Sequence, residues 1–382
     1  MDETLKKKES GKIILSFFKK NIVFFIALAA AALTIIFVPF DNQYISYFDF
    51  STLSCLFCTM AVVCALKNIR FFEFLSQKIL KGLGNLRACV VALVFITYFA
   101  SMALANDMAL ITFLPLSYYL LKESGQQKHM AFTFIMQNAA ANLGGMLTPF
   151  GNPQNLYLYS YYQIPTGEFF LIMLPPFAAA LIMLGLMCLF VKPIPISSDA
   201  PKVQTPPFWR IILYALLFAA SILMVFRVFP YYWGLLAVTV CVLLLDYKAV
   251  LRVDYGLLFT FAAFFIFSGN LSRIPAVKDA FSSMLSFSPL FVGLASCQVI
   301  SNVPTAVLLS RFTSNYSQLL VAVNVGGVGT PISSLASLIT LSEYRESKVG
   351  SVSKYIGLFS AINFSLLIIL SVISYLFIAF LY

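Results

Sequence analysis

The chain consists of long runs of apolar residues that are separated by short basic segments. Several runs reach the roughly 20 residues that an α-helix needs to span a bilayer, among them residues 22–40, 169–191 and 355–381. Only 10% of the residues are charged, whereas soluble domains carry about 25%. The runs are also much longer than the segments of about ten alternating residues found in an outer-membrane barrel. The sequence therefore predicts an all-α integral membrane protein.

The basic residues are concentrated in alternate loops. Lysine and arginine outnumber the acids by 25 to 15, which gives a net charge of +10. Loops rich in lysine and arginine face the cytoplasm, so the excess reflects topology, and we expect no nucleic-acid partner. The pattern predicts a multi-pass protein of the cell (inner or plasma) membrane, with a cytoplasmic N-terminus and a C-terminus outside.

A proline-rich segment divides the chain into two halves of similar layout. We predict a cytoplasmic segment at residues 1–21, a first repeat at 22–191, a linker with a bridging span at 192–230, and a second repeat at 231–382. Each repeat holds a span, a second span with a surface segment, a hairpin, a broken span and a closing span. The bridging span makes the second repeat start in the opposite direction, so the repeats are inverted, with about nine full spans in total.

Each repeat contains a polar turn between two apolar arms. Asn106 and Asp107 separate residues 88–104 from 109–121, and both flanks of this stretch are basic. Two crossings need about 40 residues, but only 34 lie between Arg87 and Lys122. We therefore predict a re-entrant hairpin at residues 87–122; the alternative is two short, kinked spans. A second hairpin, at residues 288–313, turns at Asn302 and enters from the opposite side.

One span of each repeat is interrupted by glycine and proline. Three glycines and two prolines fall within residues 144–155, and a second such break covers residues 326–331. These residues do not sustain a helix, and irregular backbone at membrane depth survives where it is packed against protein or lines a cavity. Helix N-termini at such breaks bind anions, and the exposed carbonyls suit Na⁺. Inverted repeats with broken helices place the substrate near the midplane.

Amide and hydroxyl side chains at the turns and breaks form the predicted site. They can donate to an anion or accept from a cation. The predicted substrate-binding residues are Asn106, Asn152, Asn155, Ser301, Asn302, Thr305 and Thr330. The predicted ion-coupling residues are Asp107, Asn106, Thr148 and Asn302, with Na⁺ held by Asn106, Asp107 and Asn302.

Asp107 is the most informative of these residues. Of the fifteen acids, it is the only one that the predicted topology places at mid-depth in the membrane. A carboxylate there favours a bound proton or a paired cation, as a coupling site requires. The alternative is that Asp107 caps the helix that starts at Met108 by accepting backbone N–H groups.

These motifs resemble the ion transporter superfamily, which includes divalent anion/Na⁺ symporters, citrate transporters, arsenite efflux permeases and Na⁺/H⁺ antiporters. The pattern Gly-Gly-x-x-Thr-Pro-x-Gly-Asn-Pro-x-Asn at residues 144–155 is similar to the first broken span of citrate-transporter-like permeases. Three stretches resemble the arsenite permease and antiporter branch: Asn106-Asp107, Asn302-Val303-Pro304-Thr305, and the residues from Thr330 to Ala336. The resemblance implies an elevator motion, in which hairpins and broken spans move together, often within a homodimer.

The predicted function is secondary active transport of a small anion, either a di- or tricarboxylate or an inorganic oxyanion, coupled to H⁺ or Na⁺. Arsenite efflux and Na⁺/H⁺ antiport are the alternatives. A channel is disfavoured because two closed hairpin tips leave no continuous pore. An enzyme is not expected, because no catalytic constellation of side chains occurs at one depth. The expected partners are the lipid bilayer, the solute and the coupling ion, and we expect no cofactor apart from Na⁺.

Overall fold

The computed structural model describes residues 22–80, 83–196 and 204–381. The predicted cytoplasmic segment 1–21 and the middle of the linker lie outside the described residues. Over the described ranges the chain is helical, and its only extended pairing is an isolated bridge between Asn85 and Pro195.

Seventeen α-helices follow one another along the described chain. Those before the linker are α1 (Ile22–Phe37), α2 (Phe50–Asn68), α3 (Phe71–Leu80), α4 (Leu86–Leu104), α5 (Asn106–Glu123), α6 (Met130–Gly144), α7 (Pro153–Tyr161) and α8 (Thr166–Cys188). Those after it are α9 (Phe208–Val225), α10 (Tyr231–Leu251), α11 (Tyr255–Ser272), α12 (Pro275–Phe287), α13 (Pro289–Ile300), α14 (Asn302–Leu309), α15 (Tyr316–Val325), α16 (Leu335–Ser347) and α17 (Val352–Leu381).

The predicted spans all correspond to helices of the described chain. By length and hydropathy, α2, α4, α8, α9, α10, α11 and α17 are each able to cross a membrane. The described part of the first span is shorter, at 16 residues, and the two broken spans are the pairs α6/α7 and α15/α16. The apolar runs at residues 88–104 and 109–121 are each expected to be too short to cross a bilayer comfortably, and for the first run this expectation is wrong. Helix α4 has 19 residues, about 28 Å at 1.5 Å per residue, and is able to cross by length and hydropathy.

Both predicted hairpins are present. In the first, Gln137 of α6 donates to the Thr97 hydroxyl of α4 at 3.0 Å and accepts from the Ser117 hydroxyl of α5 at 2.7 Å. One side chain thus joins two helices that flank the turn at Ala105, so α4 and α5 run antiparallel. The second hairpin consists of α13 and α14, which contact each other on either side of the turn at Ser301. The surface segment α12 precedes it and meets α13 at 116°, and the ring of Phe281 on α12 stacks 4.8 Å from that of Phe312, just beyond α14.

Helices of each half pack against helices of the other half, and the pairs correspond between the two repeats. The first span of each half lies along the second span of the other, so α1 packs on α11 and α10 packs on α2. In the same way α7 contacts α14, and α16 contacts α5. The polar turn of one hairpin is therefore brought against the broken span of the opposite half.

The helices form two layers, which we call the hairpin bundle (α4–α8 and α13–α17) and the scaffold layer (α1, α2, α9, α10 and α11). Closing spans α8 and α17 pack on each other and on the broken spans, so they belong to the hairpin bundle. The layers meet where α2 contacts α7 and where α11 contacts α14. Segments α3 and α12 connect the two layers in the chain.

A salt bridge ties the ends of α1 and α11. The Arg273 guanidinium donates to both carboxylate oxygens of Asp41, at 2.6 and 3.0 Å, and to the Tyr47 hydroxyl at 2.9 Å. The pairing with Arg273 lowers the pKa of Asp41 below its ordinary value of 3.8.

The stabilisation from this pair should therefore depend on pH. A carboxyl whose folded-state pKa is lowered contributes stability above its unfolded pKa, and this is lost as the pH falls through the folded value. We expect Asp41→Asn to lower the melting temperature slightly at neutral pH, and the difference from wild type to shrink below about pH 4. Thermal unfolding of both proteins across this range is the measurement; a difference that persists in acid would contradict the assignment.

Candidate functional site

Four helices begin at one small cavity between the two halves. Its volume is about 20 Å³, enough for one water molecule or a dehydrated monovalent ion. The lining includes the first residues of α5 (Asn106 and Asp107), α14 (Asn302 to Pro304), α7 (Pro153 and Gln154) and α16 (Leu335), together with the preceding Ser301. The scaffold layer completes it with Val23 of α1 and with Leu257 and Thr260 of α11. Since each helix N-terminus carries about half a positive charge, the cavity combines four such ends from both repeats.

The hairpin tips have the same backbone conformation. Ala105 has φ 60° and ψ 149°, and Ser301 has φ 73° and ψ 160°, a region occupied almost exclusively by glycine. An asparagine follows each of them: the side-chain oxygen of Asn106 accepts the N–H of Asp107 at 3.0 Å, and that of Asn302 accepts the N–H of Val303 at 2.9 Å. Strain of this kind persists where the surroundings impose it, often at ligand sites.

Each break is fastened to the hairpin of its own half. The Thr148 hydroxyl donates to the carbonyl of Met102 at 2.6 Å, and the Thr330 hydroxyl donates to the carbonyl of Gln298 at 3.0 Å. Each acceptor lies three residues before its tip, and each threonine belongs to a Gly-Gly-x-x-Thr-Pro sequence, at residues 144–149 and 326–331. The two threonines therefore hold the tips in place and do not line the cavity.

The amides of the first break reach into the second broken span. Asn155 donates to the carbonyls of Gly145, Met146 and Thr148 at 3.1 to 3.2 Å, and its oxygen accepts from the Asn324 side chain. Asn152 donates to the Asn324 side chain and to the carbonyl of Asn142, both at 3.2 Å. Because these groups are buried, leaving them unpaired would be costly. This network holds the crossing of the two broken spans.

Asn142 binds the first tip and lies near the second, a position that was not predicted from the sequence. Its side-chain oxygen accepts from Asn106 at 3.1 Å. A Cβ atom added at Gly327 would lie 3.4 Å from that oxygen and 3.1 Å from the Asn302 side-chain nitrogen. Glycine at this position thus lets the amides of both halves approach one point. The available signal was the repeated occurrence of amides at 137, 138, 142 and 324 inside apolar helices.

Asp107 does not cap its helix with its own side chain. The helix starts two residues earlier than expected, at Asn106, and the Asn106 side-chain oxygen accepts the N–H of Asp107. The Asp107 Oδ1 atom is buried and has no hydrogen-bond partner among the described residues, and the same holds for the Oε1 atom of Gln154 on the cavity wall. Two unpaired oxygen acceptors at one small cavity are a suitable arrangement for a proton or a monovalent cation.

The structure thus separates the predicted site residues into two groups. Asn106, Asp107, Ser301 and Asn302 line the cavity. The breaks behind the cavity are supported by Thr148, Asn152, Asn155 and Thr330. The Thr305 hydroxyl, one turn below the second tip, donates to the carbonyl of Ser301 at 2.7 Å. Among the polar residues of the cavity lining, Gln154 and Thr260 were not predicted from the sequence.

Paired helical hairpins and broken spans around one cavity define the protein as a multi-pass membrane transporter, and comparison with known proteins supports this class. The family model described as citrate transporter matches residues 13–317. The chain belongs to this family, and it is a transporter and not an enzyme.

Relatives from all three domains of life are similar to the chain. The uncharacterized transporter MJ0456 of Methanocaldococcus jannaschii is 34% identical over 296 residues, which are 77% of this chain and 80% of that protein. The inner membrane protein YbiR of Escherichia coli is 29% identical over 318 residues, or 82% and 85% of the two chains. The silicon efflux transporter LSI3 of rice is 31% identical over 180 residues, or 46% and 36%.

The fold also matches a solved structure. The YdaH transporter of Alcanivorax borkumensis aligns with a TM-score of 0.56 and 14% identity, covering 89% of this chain and 88% of that one. At this identity the likeness concerns the fold alone.

Proposed function

We propose that this protein is a secondary active transporter that carries a small anion, a di- or tricarboxylate or an inorganic oxyanion, together with H⁺ or Na⁺. The observation that carries the proposal is the cavity at which four helix N-termini from both repeats surround an unpaired carboxylate oxygen. The helix ends suit an anion, and the carboxylate suits the coupling ion. Both binding functions are then within one small volume.

The anion would be held by dipoles and amides, since no lysine or arginine lines the cavity in the described part of the chain. The side-chain amides of Asn106 and Asn302 are the proposed donors, and the positive ends of the four helices add a favourable potential. A cavity of about 20 Å³ does not admit a carboxylate such as citrate. We therefore assign the structure to a closed state, in which the tips must separate before the solute binds.

Coupling follows from the charge of Asp107. An ionised carboxylate in the same cavity would repel an anion, whereas a proton or Na⁺ on Asp107 removes that repulsion. Binding of the ion and of the anion would then strengthen each other by the same factor. Asn106, Asp107 and Asn302 are the proposed Na⁺ ligands, and Gln154 adds a further oxygen.

The two layers suggest how access alternates. The hairpin bundle is tied together by the contacts of Thr148, Thr330 and Asn155, whereas its border with the scaffold layer is largely aromatic and apolar, as where Tyr157 packs 5.5 Å from Phe265. We propose that the bundle moves as an elevator against the scaffold, within a homodimer. Two arginines donate hydrogen bonds across this border, Arg227 to the carbonyl of Tyr159 and Arg311 to that of Tyr47. These hydrogen bonds would break when the bundle moves.

The charge pattern suggests which way the cavity faces. It lies beside Val23 and Leu257, in the first turns of α1 and α11. We propose that these helix starts are cytoplasmic, with the N-terminus inside and the C-terminus outside the cell membrane. The structure would then represent a state with the site close to the inner side.

An uncharged solute exchanged for protons is the second candidate. A neutral, hydroxyl-bearing molecule needs no cationic side chain, and no lysine or arginine lines the cavity in the described part of the chain. Silicic acid and arsenous acid are such molecules, and a rice relative is a silicon efflux transporter. On this hypothesis Asp107 would carry the exchanged proton. Na⁺/H⁺ antiport remains the alternative without any such solute.

Counterflow in liposomes distinguishes these functions. Purified protein would be tested with citrate, succinate, sulfate, phosphate, arsenite and silicic acid, each with and without Na⁺ and pH gradients. Saturable exchange of an anion that is driven by either gradient supports the proposal. Exchange of arsenite or silicic acid alone supports the second candidate, and Na⁺-driven proton movement without any of these solutes supports antiport.

The tip amides should contribute directly to solute affinity. Asn302→Ala removes a donor from the cavity, and we expect the half-saturating concentration of the transported solute to rise about tenfold, as loss of a hydrogen bond to a charged group predicts. Lys278→Ala, on the surface segment α12, is the control and should have little effect. Equal effects of the two substitutions would remove Asn302 from the site.

A further inference from the structure

A second polar cleft lies away from the transport cavity, where α2, α9 and α10 of the scaffold layer meet. Its volume is about 370 Å³. Helix α10 is interrupted at Asp246, which has φ −157° and ψ 77° and is not helical. The Asn68 side chain donates to the Asp246 carboxylate at 2.8 Å and accepts from the Arg252 guanidinium. Hydrogen bonds among Asn68, Asp246 and Arg252 thus span the interruption in α10, at a distance from the transport cavity.

The cleft is strongly cationic. Arg210, Lys248 and Arg252 line it together with the single carboxylate of Asp246, for a net charge of +2. Asp246 is already engaged by Asn68, and the Arg210 guanidinium lies 5.1 Å from the centre of the Trp209 ring. Planar guanidinium groups and lysine side chains converging on one space are the usual ligands of a phosphate group.

Exposed apolar side chains surround the same cleft. Phe208 is 75% exposed, Trp209 56%, Leu244 82% and Leu251 71%. Tryptophan is enriched at membrane–water interfaces, and basic pockets between membrane helices bind anionic lipid headgroups. A ligand with a phosphate and acyl chains satisfies both features, whereas a free inorganic anion uses only the charges.

From this arrangement we infer that the cleft formed by Asn68, Arg210, Asp246, Lys248 and Arg252 binds the headgroup of an anionic phospholipid. The phosphodiester lies among Arg210, Lys248 and Arg252, and the acyl chains run along the exposed faces of α9 and α10. Because all three helices belong to the scaffold layer, the lipid holds the part of the protein against which the hairpin bundle packs. The site is independent of the solute that the protein carries.

The test is lipid binding to the purified full-length protein. Native mass spectrometry and thermal unfolding would be recorded in detergent with added phosphatidylglycerol or phosphatidylcholine. We expect retention of phosphatidylglycerol and a higher melting temperature with this lipid only. Each cation contributes about fivefold to affinity for an anionic surface, so Arg210→Gln with Lys248→Gln should weaken phosphatidylglycerol binding about 30-fold.

Two further variants test whether the lipid binds through the charges of this cleft. Lys348→Gln with Lys354→Gln removes the same charge from another loop predicted to be cytoplasmic and should retain the lipid. Asp246→Asn removes the only carboxylate of the cleft and should tighten binding about fivefold. Equal loss in both double variants, weaker binding by Asp246→Asn, or equal protection by inorganic phosphate or glycerol 3-phosphate would overturn the lipid assignment.

Discussion

Asp107→Asn should uncouple transport from its driving ion. The amide has nearly the same shape as the protonated carboxyl group, but it neither releases a proton nor offers a charge to Na⁺. Coupling between two ligands amounts to 5- to 150-fold in typical cases, so we expect gradient-driven accumulation of the solute to fall at least about tenfold. Counterflow, which needs no net ion movement, should continue. Uptake into liposomes with imposed Na⁺ and pH gradients is the measurement.

The matched control is Asp279→Asn, an identical change at an exposed position on α12. It should leave both accumulation and counterflow at the wild-type level. If Asp107→Asn still accumulates solute in response to the same gradients, the coupling ion binds elsewhere. Loss of counterflow as well would place Asp107 in solute binding and remove the distinction between the two roles.

Gly144→Ala should strongly destabilise the protein. An added Cβ atom would lie 2.1 Å from the carbonyl oxygen of Tyr98 and 2.7 Å from the Ser101 hydroxyl oxygen, so α4 and α6 would have to separate. Overpacking costs about 1–3 kcal/mol and sometimes more, although alanine is by itself up to about 1 kcal/mol better than glycine in a helix. We expect a loss of several degrees in melting temperature and loss of transport, because the first hairpin tip moves with α4.

Gly167→Ala is the control, since nothing lies within 4 Å of its added Cβ atom and Gly167 is also helical. It should be neutral or slightly stabilising. Gly326→Ala, at the equivalent position of the second repeat, should fall between the two, because its added atom would lie 2.5 Å from the Ala322 carbonyl oxygen and 2.9 Å from the Cys297 side chain. A Gly144→Ala protein that is as stable as Gly167→Ala would contradict the close packing of α4 on α6.

The hairpins and breaks were predictable because lipid penalises polar groups and irregular backbone. A polar turn at Asn106 or Asn302 inside an apolar run, and clustered glycine and proline at 144–155, therefore stand out in the sequence. The tip residues of the cavity were identified for the same reason. The membership of the citrate transporter family agrees with this interpretation.

The roles of the other polar residues near the site were not predictable, because they depend on which way each side chain faces. Thr148 and Asn155 lie at a break and were expected to bind ligand, yet their hydrogen bonds hold the break together. Asn142 and Asn324 lie inside helices, where hydropathy does not distinguish a face toward the opposite repeat from one toward a neighbouring span. The arm length of α4 was underestimated because Leu86 and Arg87, beyond the apolar run, are also helical.

The central claim is that helix starts from both repeats form one solute site, which the two hairpins approach from opposite faces of the membrane. A cryo-EM map of the full-length protein in lipid nanodiscs, at saturating concentration of the solute found by counterflow, tests it most directly. We expect solute density between the Asn106 and Asn302 tips, with one hairpin reaching it from each side of the lipid layer. Solute density away from both tips, or both hairpins dipping in from the same face, would contradict the claim.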